Sequence, residues 1–235
     1  MFFLYFFLGV LPCILWLLFY LRKDVHPESN KKIIEIFFLG ILITLPVLIL
    51  EIFFSRFFPP QKILIKNFFL SLIYFIFCIG FIEELFKYLV VKFRVIRTSH
   101  FDEPIDLMLY LIIAALGFAT VENLLAIFTT KKFEVVIIIS FLRPITAVFL
   151  HTLAAALTGY FLALSLYKKK EFKYISFGLL LASFFHGLYN LSVVKLSESF
   201  SFFYFLLIIS IISIMTILVF YFFSKVKKFP RGCKL

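Results

Sequence analysis

Charge is scarce in this chain, and so are the residues that staple small soluble folds. Only 16% of the 235 residues are Asp, Glu, Lys or Arg, against 63% hydrophobic ones, and the mean hydropathy is +1.10. A soluble domain is about 45–50% apolar and about 25% charged, so a water-facing exterior is excluded. Cysteine is limited to Cys13, Cys78 and Cys233. That odd number, without metal-type spacing and with two members inside apolar runs, excludes a disulfide framework and a zinc knuckle. Neither Gly-x-Ser-x-Gly nor His-Glu-x-x-His occurs, which removes nucleophile-elbow hydrolases and zincins. The first apolar run lacks a basic n-region and a small-residue cleavage site, so it is expected to be a retained helix rather than a signal peptide. The net charge of +11 does not indicate nucleic acid, because the Lys and Arg residues lie in short clusters between apolar stretches, as juxtamembrane charges do.

Apolar length is abundant instead. Runs near the roughly 20 residues that cross a bilayer lie at about 1–21, 33–54, 67–93, 105–128, 144–167, 174–195 and 200–224. They predict an all-α polytopic membrane protein, a bundle of about seven transmembrane helices forming a single integral membrane domain over 1–235. Residues 133–143 either lengthen the fifth helix or form an eighth, short segment ended by Arg143-Pro144. The 37 Phe residues fit a lipid-facing exterior and single out no site. Sixteen Lys and Arg lie in 22–32, 92–104, 168–173 and 225–235, against six in 55–66, 129–134 and 195–199. Cytoplasmic loops carry such an excess, so the N-terminus is expected outside and the C-terminus in the cytoplasm.

A charged side chain in the middle of a membrane helix costs about 2.5–3.5 kcal/mol on insertion scales, so each one asks for a reason. The third run holds Glu83, Glu84 and Lys87, with the lysine four residues after the first acid and three after the second, within reach of both. One lysine cannot neutralise two carboxylates, which leaves an acid to be protonated or to hold a water or a metal. The fourth run holds Glu122 and Asn123, whose simpler reading is an interhelical hydrogen bond. The fifth holds Arg143 and His151, followed by Ala154-Ala155-Ala156 and Gly159, small residues that let helix backbones approach. The sixth holds His186 and Asn190, four apart and therefore on one face. With a rise of 1.5 Å per residue, Glu83, Glu84 and His186 fall within roughly 5 Å of the midplane and Glu122, His151 and Asn190 roughly 7–9 Å outward. Four helices thus present polar groups in one layer, where they must converge on each other or on a hydrated cavity. Acids, imidazoles and an amide donor are the parts needed to deprotonate water and to stabilise an oxyanion. Glu83, His151 and His186 could also bind zinc; no cofactor is required by the sequence, and a metal-free site is the preferred expectation.

These segments resemble the PrsW family of intramembrane proteases, within the superfamily that includes the CAAX prenyl endopeptidases and bacteriocin-processing proteins. The resemblance covers roughly 80–195, expected to carry the catalytic core helices. It rests on Glu83-Glu84-Leu85-Phe86-Lys87, Gly117-Phe118-Ala119-Thr120-Val121-Glu122-Asn123, the Arg143 and His151 pattern, and His186-Gly187-Leu188-Tyr189-Asn190. It implies that Glu83 or Glu84 is the general base and that His151 orients the water. His186 and Asn190 would polarise the scissile carbonyl, with Lys87, Glu122, Asn123 and Arg143 in support. It further implies a bacterial cytoplasmic membrane and a single-pass membrane protein as substrate, for example an anti-sigma factor. A secondary transporter would need matching halves, and no repeat relates 1–110 to 111–235; a non-catalytic immunity or scaffold relative would not need the intact Glu, His and Asn set.

Overall fold

The computed structural model describes residues 1–23, 28–59, 64, 66–96, 98 and 101–229. Cys233, Lys62, Arg97 and the tail 230–235 therefore lie outside the described residues, so part of the charge count does too. Every regular element among them is helical: α1 (Phe2–Leu21), α2 (Asn30–Ser55), α3 (Phe68–Ile73), a π-helical stretch (Tyr74–Gly80), α4 (Phe81–Arg94), α5 (Asp106–Thr129), α6 (Phe133–Ile145), α7 (Ala147–Lys168), α8 (Glu171–Glu198) and α9 (Phe202–Val226). In lipid every backbone polar group must be satisfied within the protein, and apolar runs of about 20 residues do so as helices. Among the described residues, seven helical stretches are long and apolar enough to cross a membrane. The expected bundle is therefore observed.

Two boundaries carry information. Residues 133–143 are not a plain extension of the fifth span but the separate helix α6. Pro144 and Thr146 break it from α7, and Trp16 Nε1 donates to the Pro144 carbonyl (2.8 Å) at that break. The third span is not uniform either, because α3 passes through the π-helical stretch before α4. Each π turn inserts extra residues into the helical repeat and rotates the residues beyond it. Glu83 and Glu84 lie just past its end.

The helix α5 is the centre of the bundle. From Asp106 to Ala119 every residue is buried, as expected for a helix that is apolar all round, and it packs against α1, α2, α4 and α7. Its contact with α2 depends on glycine: a Cβ on Gly117 would lie 2.0 Å from the Phe37 carbonyl oxygen. At Gly187 of α8 a Cβ would lie 2.6 Å from the Ile76 Cα of the π-helical stretch. This second close approach brings His186 beside the acids of α4. Large apolar side chains cover the outside, among them Phe3 (85% exposed) and Phe69 (76%), so the exterior matches acyl chains rather than water.

Candidate functional site

Helix α4 contributes three adjacent polar groups in its first two turns, and all are buried: Glu83 is 2% exposed, Glu84 1% and Lys87 0%. The spacing predicted from sequence places both acids on the lysine. Lys87 Nζ donates to Glu84 Oε1 at 2.8 Å and to Glu83 Oε2 at 3.4 Å, and it lies 4.6 Å from the centre of the Phe118 ring of α5. An ammonium over a ring face is held electrostatically, so α5 fixes the lysine from above.

Helices α7 and α8 bring one imidazole each. His151 Nδ1 is 3.0 Å from Lys87 Nζ, and its Nε2 is 2.6 Å from Glu122 Oε2 of α5. His186 Nδ1 is 3.0 Å from Glu84 Oε1. The two rings meet edge to face at 4.9 Å. Each imidazole therefore has one nitrogen on an outer carboxylate, Glu122 for His151 and Glu84 for His186. The other nitrogens approach the same atom: Glu83 Oε2 lies 3.8 Å from His151 Nδ1 and 3.7 Å from His186 Nε2.

Behind this cluster stands a supporting layer. Arg143 Nη2 is 3.7 Å from Glu122 Oε2, and Arg143 Nε donates to Asn123 Oδ1 at 2.6 Å. Asn123 in turn donates to the Gly9 carbonyl of α1 at 3.3 Å and approaches Cys13 Sγ at 3.7 Å. Arg143 and Asn123 thus tie α1, α5 and α6 together around Glu122 and do not touch the histidines. Asn190 is half-buried one turn beyond His186 and makes no hydrogen bond among the described residues, which leaves its amide available.

Glu83, Glu84, His151 and His186 can each offer one ligand atom such that these atoms all lie within 4.8 Å of one another. Tetrahedral zinc with bonds of about 2.0–2.2 Å spaces its ligand atoms by about 3.4 Å, close to the separations around Glu83 Oε2. Histidines that bind metal usually place their other nitrogen on a carboxylate or carbonyl, which is the arrangement of both rings. The charges agree: the carboxylates of Glu83, Glu84 and Glu122 face one ammonium and one guanidinium, and Glu84 Oε2 is buried without a hydrogen-bond partner. The residues present fit a divalent cation, with the Lys87 ammonium, 3.0 Å from His151 Nδ1, as the competing charge on that nitrogen.

Sequence reasoning missed Glu51 of α2. Its Oε1 is buried without a hydrogen-bond partner among the described residues, and the residue lies within electrostatic reach of Glu122, Lys87 and Glu83. The signal was present, a lone acid in an otherwise apolar run, and the rule applied to Glu122 would have found it. A second acidic group, Glu28, Asp102 and Asp106, has a structural role. Asp106 accepts from the backbone N–H groups of Asp102 and Glu103, at 3.1 and 2.7 Å, and Glu28 accepts from the Tyr110 hydroxyl at 2.6 Å. Together they close the turn that leads into α5.

Comparison with known proteins identifies the family. A family described as PrsW family intramembrane metalloprotease matches residues 28–220. The chain is 32% identical over 197 residues to Protease PrsW of Oceanobacillus iheyensis, covering 82% of this chain and 84% of that protein. It is 27% identical over 193 residues to Protease PrsW of Bacillus subtilis, covering 81% and 83%. With Protease PrsW of Clostridioides difficile the identity is 25% over 190 residues, covering 79% and 77%. No solved structure matches the chain.

Proposed function

The chain belongs to the PrsW family of intramembrane metalloproteases, and from that premise we propose that it hydrolyses a peptide bond of a single-pass membrane protein at the buried Glu and His cluster, with Glu84 taking the proton of the attacking water. The observation that carries this reading is the asymmetry of Glu84. Its Oε1 is held by Lys87 and His186, while Oε2 is buried and has no hydrogen-bond partner among the described residues. A carboxylate fixed through one oxygen and free at the other is oriented for proton transfer, which contributes about 10²–10⁴-fold.

Glu83, His151 and His186 would hold zinc, a two-His, one-Glu set used at catalytic sites. Bound zinc supplies Lewis-acid polarisation of the scissile carbonyl and a more acidic water. The chain's own groups do the rest. Glu122 holds His151 and Glu84 holds His186, so neither ring can turn. Lys87 keeps the two α4 carboxylates together. The free amide of Asn190 donates to the developing oxyanion. The basic excess supports an external N-terminus and a cytoplasmic C-terminus, and the bacterial relatives support a bacterial cytoplasmic membrane. An anti-sigma factor is a substrate of the right class.

A second reading is favoured by one contact, the 3.0 Å approach of Lys87 Nζ to His151 Nδ1. An ammonium there serves as the site's cation, Glu83 takes the proton, and no metal is needed. Reconstitution with single-pass substrates separates the two. Wild type is expected to carry about one zinc per chain and to cleave, whereas His186→Ala and Glu83→Gln lose both metal and cleavage. Chelator-resistant cleavage without metal would favour the second reading. Cleavage that persists in Glu83→Gln, Glu84→Gln and His186→Ala alike would end the assignment.

A further inference from the structure

The opposite face of the helix that carries His151 borders a groove that takes no part in the cluster. Residues two before and two after a given position lie about 200° around a helix from it, so Phe149 and Leu153 of α7 project away from the site. They form the floor of a groove of about 310 Å³ with Trp16 and Phe19 of α1 on one wall and Phe220 and Phe223 of α9 on the other. The groove exists because no Cα of α1 comes within 8 Å of one in α9. Its deep end is where Trp16 stacks on Phe149, ring centres 4.6 Å apart and 12° from parallel.

The mouth is cationic. Lys23 and Lys227 line it, at the end of the bundle where the chain's basic residues concentrate. Lys23 Nζ is held by the rings of both walls, 5.0 Å from the centre of Phe19 and 6.0 Å from that of Phe220. No carboxylate among the described residues pairs with either lysine. An apolar trough that opens to acyl chains, closed at the membrane surface by two ammonium groups, has the form of a phospholipid with a negative headgroup. Basic pockets between membrane helices bind such headgroups, with about fivefold in affinity for each lysine near the surface.

We propose that this groove is a binding site for one anionic phospholipid, its phosphate on Lys23 and Lys227 and an acyl chain running along Phe19 to Trp16. The lipid then packs against the back of α7, opposite His151. Trp16 is the chain's one tryptophan, so its fluorescence reports occupancy of the groove. The test places the full chain in phosphatidylcholine vesicles and replaces a rising fraction of lipid with phosphatidylglycerol brominated on its acyl chains, or with brominated phosphatidylcholine. Brominated phosphatidylglycerol is expected to quench Trp16 saturably and at the lower mole fraction. Lys23→Gln and Lys227→Gln are each expected to cut that preference about fivefold, and the double variant to abolish it. Both lysines are exposed, so helical circular dichroism is expected to stay unchanged. Equal quenching by the two lipids at every fraction would overturn the proposal. So would a preference that survives in the double variant, or displacement of the brominated lipid by a single-pass substrate peptide.

Discussion

At Glu122 a carboxylate holds one nitrogen of His151 at 2.6 Å and is itself met by Arg143. Glu122→Gln keeps the shape and removes the charge, so zinc affinity or cleavage is expected to fall about 10–100-fold, read by metal titration and by initial rates. Lys87 is the opposite case, because its removal strands two buried carboxylates. Lys87→Met is expected to destabilise the fold by about 3–5 kcal/mol, seen as a lower unfolding midpoint in detergent. An unchanged midpoint would mean that the acids are already neutral or bound. Most of these residues are legible in the sequence, because an ionisable group inside an apolar run has few alternatives to a polar cluster. Spacing alone leaves open the choice between the adjacent glutamates. Their partners separate them: Glu84 is clamped at one oxygen, and Glu83 faces both imidazoles. Asn190 was expected to act with His186, and its free amide is compatible with that. Asn190→Ala is expected to lower kcat about 10²–10³-fold with little change in KM.

At the scale of elements, the close contact of Gly187 with Ile76 sets the distance between His186 and the α4 acids. Gly187→Val would force the π-helical stretch and α8 apart, since even a Cβ would sit 2.6 Å from the Ile76 backbone. Cleavage is expected to be lost while helical content is retained, a combination that circular dichroism and activity measured on one sample would reveal. Deleting Ile79 would turn Glu83 and Glu84 by about 100° relative to α3 and should have the same outcome. The helices themselves were readable from apolar length, and their ends agree with the sequence to within a few residues. The π-helical stretch was not. Nothing in Tyr74 to Gly80 marks it locally; the stretch packs against α8 at Gly187, a tertiary contact that no local pattern carries. The break at Thr146 was half legible, since 133–143 could be read either as a longer fifth helix or as a separate segment ended by Arg143-Pro144, and the structure shows the 13-residue helix α6 there.

For the whole molecule, the inverted distribution of side chains carries the function. Exposed Phe and Ile face outward, while the ionisable groups of α4, α5, α7 and α8 meet inside the bundle, where electrostatic interactions are strong. That is a setting for hydrolysis inside a bilayer. The measurement that tests it most directly is zinc content and substrate cleavage determined together on Glu84→Gln in proteoliposomes. About one zinc per chain is expected, the value expected of wild type, with cleavage reduced at least about 100-fold. Cleavage at the wild-type rate in that variant would contradict it.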